Sequence, residues 1–187
     1  MGATDADLHA ELVTLLRERS VQRGSFTLAS GRTSSYYIDA RITTMSAAGL
    51  LLIGELGVRA IRRAHWEAEL VGGLTMGADP VAYAIARASR EAPPVLDAYS
   101  VRKEAKGHGA GRRIEGCFRS GARVVVVEDV ITSGQSALTA VEAVREAGGS
   151  VSGVLAVVDR GEGGRAAIER AGVPVLSLVG VRDLGVG

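Results

Sequence analysis

Two groups of residues in this sequence have the types and spacing to do chemistry. Glu128 and Asp129 are adjacent carboxylates, followed at once by Val130, Ile131 and the hydroxyl-rich run Thr132, Ser133, Gly134, Gln135, Ser136. Arg102, Lys103, Lys106 and His108 are four potential cations within seven residues, interleaved with glycine. A hydroxyl- and glycine-rich turn leading into a helix binds anions, because the unpaired N–H groups and the positive end of the helix dipole face it. Two carboxylates beside a phosphate would repel it unless they served another part of the ligand, and acids at strand ends accept hydrogen bonds from ribose hydroxyls. The implied ligand is a ribose 5-phosphate; the alternative is a structural turn whose acids face solvent. The turn lacks the lysine of GxxxxGK[ST] and the glycines of GxGxxG, which sets the common nucleotide fingerprints aside.

Regular elements must place these residues. In RVVVVEDVITSGQS, from Arg123 to Ser136, four consecutive valines predict a strand buried on both faces and ending on the two acids, with a helix from Ala137 to Ala147. Upstream, Asp5 is expected to cap a helix carrying Leu8, Leu12, Val13, Leu15 and Leu16. Phe26–Leu28 and Tyr36–Asp39 read as short strands around a Ser30, Gly31, Arg32 turn. Tyr36 and Tyr37 either cover the core or form a flat wall against a planar heterocycle.

Ser46–Arg63 reads as a helix with Leu50 to Ile53, Leu56 and Ile61 inward. Leu70 and Val71 begin a strand running into GGLTMGADP, where Asp79 is expected to cap a helix over Pro80–Arg90. That junction, with Thr75, is either a second anion contact or a tight turn. Val95–Tyr99 reads as a strand, and the charged stretch after it as a long loop or an extended hairpin, a kind of segment that usually carries function. A strand over Val151–Val158 ends in Asp159 and Arg160, before a helix at Gly163–Ala171, a strand at Val175–Val179 and a frayed tail from Gly185. This alternation predicts an α/β fold, a central parallel sheet flanked by helices, with the ligand outside the C-terminal strand ends. Thr75, the Arg102 loop, Glu128 to Ser136 and Arg160 then share one rim.

Composition narrows the class. The 187 residues are 47% hydrophobic and 23% charged with a formal charge of +1, which suits one domain and argues against a general nucleic-acid or membrane surface. Residues 1–45 are expected to hold the first helix and the hairpin, and 46–187 the α/β core. No signal peptide is visible and no apolar run approaches the ~20 residues of a membrane span, which predicts a cytoplasmic protein. Cys117 is alone, so there is no disulfide framework, and it reads as a small buried hydrophobe. Of 22 basic residues only Lys103 and Lys106 are lysines, both in the charged loop.

The Glu128 to Ser136 stretch resembles the signature of the type I phosphoribosyltransferases, which bind 5-phosphoribosyl 1-diphosphate (PRPP). RKEAKGHG closely matches the catalytic loop of the orotate phosphoribosyltransferase family, and FTLASGRTSSYYID resembles that family's N-terminal hairpin, or hood. The resemblance implies transfer of the phosphoribosyl group to N1 of orotate, giving orotidine 5′-monophosphate and pyrophosphate. It implies Arg102, Lys103, Lys106 and His108 on the diphosphate, Glu128 and Asp129 on the ribose hydroxyls, Val130 to Ser136 on the 5-phosphate, and Thr132 and Arg160 on orotate. It also implies Mg²⁺ carried largely by the diphosphate, and a homodimer whose loop reaches the neighbouring site. Many members carry lysines where this chain has Ala29 and Gly77, and two aromatics where it has Tyr37 and Ile38. A purine phosphoribosyltransferase would share the PRPP site, but the hairpin and loop argue against it. A regulatory PRPP-binding module is disfavoured by the intact loop and by a Met1–Arg23 segment too short for a helix-turn-helix unit.

Overall fold

The structure is a computed structural model that describes residues 3–27, 33–104 and 113–186. Helix α1 (Asp5–Arg19) leads into an antiparallel hairpin of β1 (Val21–Thr27) and β2 (Thr33–Ile38). A short α2 (Arg41–Thr44) and α3 (Ala47–Arg63) follow, then β3 (Leu70–Leu74), α4 (Ala78–Ser89), β4 (Asp97–Val101) and β5 (Ile114–Gly116). The remainder is β6 (Arg123–Ile131), α5 (Gln135–Glu146), β7 (Ser150–Asp159), α6 (Gly164–Arg170), β8 (Val175–Gly180) and a 3-10 turn at Val181–Leu184.

The main sheet has the order β5-β4-β3-β6-β7-β8, parallel except for β5, which pairs antiparallel with β4. The second of the two readings of the charged stretch therefore holds for its described ends: they form a hairpin. The four valines of β6 are fully buried and alternate, Val125 and Val127 packing toward α1, α3 and α4, Val124 and Val126 toward α5 and α6. Burial on both faces is why the strand reads as an unbroken apolar run.

Several local expectations are corrected. Thr4, not Asp5, caps α1, in a reciprocal box with Asp7 that satisfies two backbone N–H groups. Asp79 lies inside the first turn of α4, whose cap position is Gly77, and accepts instead from the Ser100 hydroxyl at 2.7 Å. Leu51 points outward from α3, on the side opposite Leu52 and Ile53. Cys117 is exposed, because it follows β5 at the open edge of the sheet. The tail is held as far as Val186: that side chain is buried in the α1 core, and Gly185 O accepts from Arg23 at 3.0 Å. Strand β6 does not stop at the acids but continues through Ile131, paired with β7 up to Asp159.

Candidate active site

The chain leaves β3 outward to β4 and β5, then returns to lay β6 on the other side of β3. Between β3 and β6 the strand order reverses, and their C-terminal ends splay apart to leave a crevice. A cleft of about 420 Å³ opens there, with Thr75, Met76 and Gly77 from the β3 end, Glu128 to Val130, Thr132 and Ser136 from the β6 end, Lys103 beyond β4, and Arg160 beyond β7. Tyr37 to Arg41 close it from the hairpin side.

Beside it, Glu128 and Val130 to Ser136 enclose a smaller cavity of about 90 Å³. The cap position of α5, Gly134, has no side chain to cap it; Gln135 N donates to Ser133 Oγ at 3.4 Å, and the N–H groups after it in the first turn face the ligand side. Gly134 takes a left-handed φ of 82° there, and a Cβ would lie 2.8 Å from Gly164 O, so the turn closes only because both chains are bare. Ile131 is buried beneath the turn and offers only its backbone, whose carbonyl accepts from Arg160 N at 3.0 Å.

The two acids differ. Glu128 is buried, and its Oε2 has no hydrogen-bond partner among the described residues. Burial, with the neighbouring Asp129 charge, pushes its carboxyl up to about 9. Asp129 turns back to accept from Val130 N at 2.9 Å and faces the bare Gly77, where a Cβ would stand 2.6 Å from its Oδ1.

Arg160 is buried, with its guanidinium over the Tyr36 ring at 5.1 Å and an Nη2 contact to Glu162 Oε1 at 2.8 Å. Tyr36 thus supports an arginine, whereas Tyr37 lines the cleft and meets Phe26 at 5.8 Å between ring centres. Of the two readings of the tyrosine pair, packing against the core describes Tyr36. Lys103 reaches the cleft, but Arg102 does not line it: Arg102 sits at the base of the β4–β5 hairpin, 3.3 Å from Glu115 Oε1. Lys106, His108 and Ala29 lie outside the described residues.

A curated relative, the orotate phosphoribosyltransferase of Corynebacterium glutamicum, is 49% identical over 184 residues, which is 98% of this chain and 97% of that one. The chain belongs to the orotate phosphoribosyltransferase family. No protein-family model matches it. The solved orotate phosphoribosyltransferase of Mycobacterium tuberculosis H37Rv, in complex with Fe(III) dicitrate, superposes with a TM-score of 0.85 at 49% identity, over 96% of this chain and 99% of that one. The same enzyme with PRPP superposes at 0.79 and 42% identity, over 99% and 94%. The type I phosphoribosyltransferase fold expected for an orotate phosphoribosyltransferase is therefore the one found.

The sequence reading missed two residues of the site. Asp39 and Arg41, two apart at the end of β2, form a bidentate pair: Arg41 Nε donates to Asp39 Oδ1 at 2.8 Å and Nη2 to Oδ2 at 3.0 Å. The guanidinium holds the Asp39 carboxyl below the usual range. An acid and an arginine two apart directly after a strand was the available signal, but it lies outside any phosphate-turn pattern.

Proposed function

We propose that this protein transfers the 5-phosphoribosyl group of PRPP to N1 of orotate, giving orotidine 5′-monophosphate and pyrophosphate. One observation carries the reading: a single cleft at the β3–β6 reversal joins the acid pair, the uncapped start of α5 and a buried arginine. Glu128 and Asp129 take the ribose hydroxyls, Val130 to Ser136 the 5-phosphate, and Arg160 with Thr132 the orotate carboxylate, which a guanidinium grips through two hydrogen bonds.

In the reaction the C1–O bond breaks and its electron pair leaves with pyrophosphate, while N1 of orotate bonds to C1. The N1–H of orotate is acidic and its proton leaves to solvent or to the departing pyrophosphate oxygens, so a strong protein base is not required. Charge grows on the departing oxygens, and Lys103 with Lys106 and His108 opposes it; Arg102, outside its own chain's cleft, would do so in a neighbouring subunit's site. Covering the site would keep water from PRPP.

Among the described residues no three His, Cys, Asp or Glu side chains converge as a metal site. Both oxygens of Asp39 accept from Arg41 and the acid pair is taken by the ribose hydroxyls, so Mg²⁺ would be carried largely by the diphosphate, whose oxygens suit a hard cation. Mg²⁺ bound so would neutralise part of the diphosphate charge.

We also propose a homodimer. Ile42 on α2, Met45 just after it, Leu51 on α3, Met76 before α4 and Tyr83 in the middle of α4 are exposed apolar side chains, and Met76 borders the cleft, so a second copy covering them would lie beside the site. Mixing a dead Lys106→Ala protein with a dead Asp129→Ala protein should restore part of the activity if sites are shared. Exchanging subunits that stay inactive would exclude sharing. Among the described residues no helix is long and apolar enough to cross a membrane. Both substrates are anions that do not cross a bilayer unaided, so we place the enzyme with their supply, in the cytoplasm.

The decisive assay incubates the protein with PRPP, Mg²⁺ and, separately, orotate, adenine, guanine, hypoxanthine and uracil. Orotate alone should be consumed. Consumption of a purine, or of no base, would overturn the assignment.

A further inference from the structure

We propose that Arg41, held by Asp39, binds the diphosphate of PRPP from the hairpin side of the cleft. The inference rests on the PRPP reading above and adds a residue to it. The described cleft is lined by three cations, Arg41, Lys103 and Arg160, and three carboxylates, Asp39, Glu128 and Asp129. A ligand bearing a phosphate and a diphosphate needs more positive charge than this balance supplies, so the disposition of each cation matters.

Arg160 is enclosed, its side chain 6% exposed, stacked on Tyr36 and 2.8 Å from Glu162, and the reading above assigns its fork to orotate. Arg41 is 47% exposed, and Asp39 occupies only its Nε and Nη2. Its Nη1 has no hydrogen-bond partner among the described residues. A bidentate carboxylate fixes the plane of a guanidinium and leaves the other edge for a ligand, which lowers the entropy lost on binding.

Position selects the diphosphate over the other anionic groups. Arg41 does not line the cavity of the Thr132–Ser136 turn, which excludes the 5-phosphate. Asp129 packs against Gly77 and so marks the β3 side of the cleft, whereas Arg160 follows β7 on the opposite side. Arg41 lines the cleft together with Asp129, whose carboxylate favours the charged guanidinium. It therefore belongs with Thr75 to Gly77 and Lys103, on the side away from the orotate arginine. Gly77 presents no side chain there, and one would collide with Asp129, so that stretch of wall cannot itself carry a cation without moving the acid.

The test compares three ligands on wild type, Arg41→Ala, Arg41→Lys and Asp39→Asn. Pyrophosphate with Mg²⁺ carries only the leaving group, ribose 5-phosphate carries the hydroxyls and the 5-phosphate, and orotate carries the base. Arg41→Ala should weaken pyrophosphate binding by calorimetry, and raise the KM for PRPP, about tenfold, with ribose 5-phosphate affinity and the KM for orotate within twofold. Arg41→Lys should recover part of the loss, and Asp39→Asn should show a smaller loss on the same ligand. Equal weakening of all three ligands would mean a structural arginine, and a selective rise in the KM for orotate would move Arg41 to the base; either result overturns the proposal. If wild type makes no orotidine 5′-monophosphate, the reaction reading fails; if wild type is active and Arg41→Ala binds pyrophosphate normally, only this inference does.

Discussion

The floor of the cleft is one run of chain, with the buried valines of β6, the two acids and the turn into α5 following one another from 124 to 136. Its walls come from four places: Arg41 after β2, Thr75 to Gly77 after β3, Lys103 after β4 and Arg160 after β7. The floor is anchored on both sides by paired strands and on both faces by core. The hairpin wall is a two-stranded sheet, largely exposed, tied to the rest by contacts such as Ser20 Oγ to Thr43 Oγ1 at 2.7 Å and Arg23 to Gly185 O at 3.0 Å. Isolated two-stranded sheets are only marginally stable in water. A fixed floor suits groups that do not change in the reaction, the ribose hydroxyls and the 5-phosphate. Walls of separate origin suit groups whose charge or identity changes, the leaving diphosphate and the base.

A kinetic contrast between floor and wall would break this division most directly. Lys103→Ala should lower kcat on the order of 100-fold with a smaller change in PRPP affinity, because the charge it opposes grows in the transition state. Asp129→Ala should instead weaken PRPP binding itself, by ~1.5 to 3 kcal/mol for hydrogen bonds to a charged group. If single-turnover rates and equilibrium PRPP binding fall in the same ratio in both variants, floor and wall do not have separate tasks.

The same difference decides what could be read from sequence. Floor residues are contiguous, so a hydrophobic run, two acids and a hydroxyl-rich turn were enough to specify strand, turn and helix start. Wall residues meet only in the fold, so Arg160 was reached through its position after a strand, and Arg41 was not reached. Helix α2 has four residues, too few to show a period, and β5 has three, inside a charged stretch. Leu51 was assigned inward because four apolar residues in a row, Leu50 to Ile53, cannot all face one side of a helix and periodicity does not choose among them. Asp79 looked like a cap because it precedes a proline, but the helix begins two residues before that proline, at Ala78, and the hydroxyl of Ser100, distant in sequence, donates to its carboxylate.

Within the walls, the two arginines should separate by substrate. Arg160→Ala should raise the KM for orotate about tenfold with PRPP affinity little changed, since one bidentate charged pair is lost at the base. Part of that cost will come from Tyr36, which loses the cation above its ring. Arg160→Lys should restore little, because an ammonium cannot reproduce the planar fork. Equal effects on both substrates would make Arg160 a prop for the hairpin and not a reader of the base.

The smallest expected effect tests how the floor holds its charge. The Glu128 carboxyl is pushed up to about 9, against an ordinary 4.5, because it is buried beside Asp129. Between those values the folded protein retains a proton that the unfolded chain has released. The associated stability is therefore full below about 4.5 and declines as pH rises toward 9. Glu128→Gln is neutral at every pH, so its Tm should fall less than that of wild type between neutral pH and 9. A ribose hydroxyl donated to the Oε2 left without a partner favours the carboxylate, so PRPP binding should expel part of a proton from wild type and tighten as pH rises toward 9. Calorimetry in two buffers of different ionisation enthalpy counts that proton directly. A release in wild type that disappears in Glu128→Gln assigns it to this carboxyl. The same release in both proteins would place the titrating group elsewhere, and Glu128 would then be a neutral part of the floor whether or not PRPP is bound.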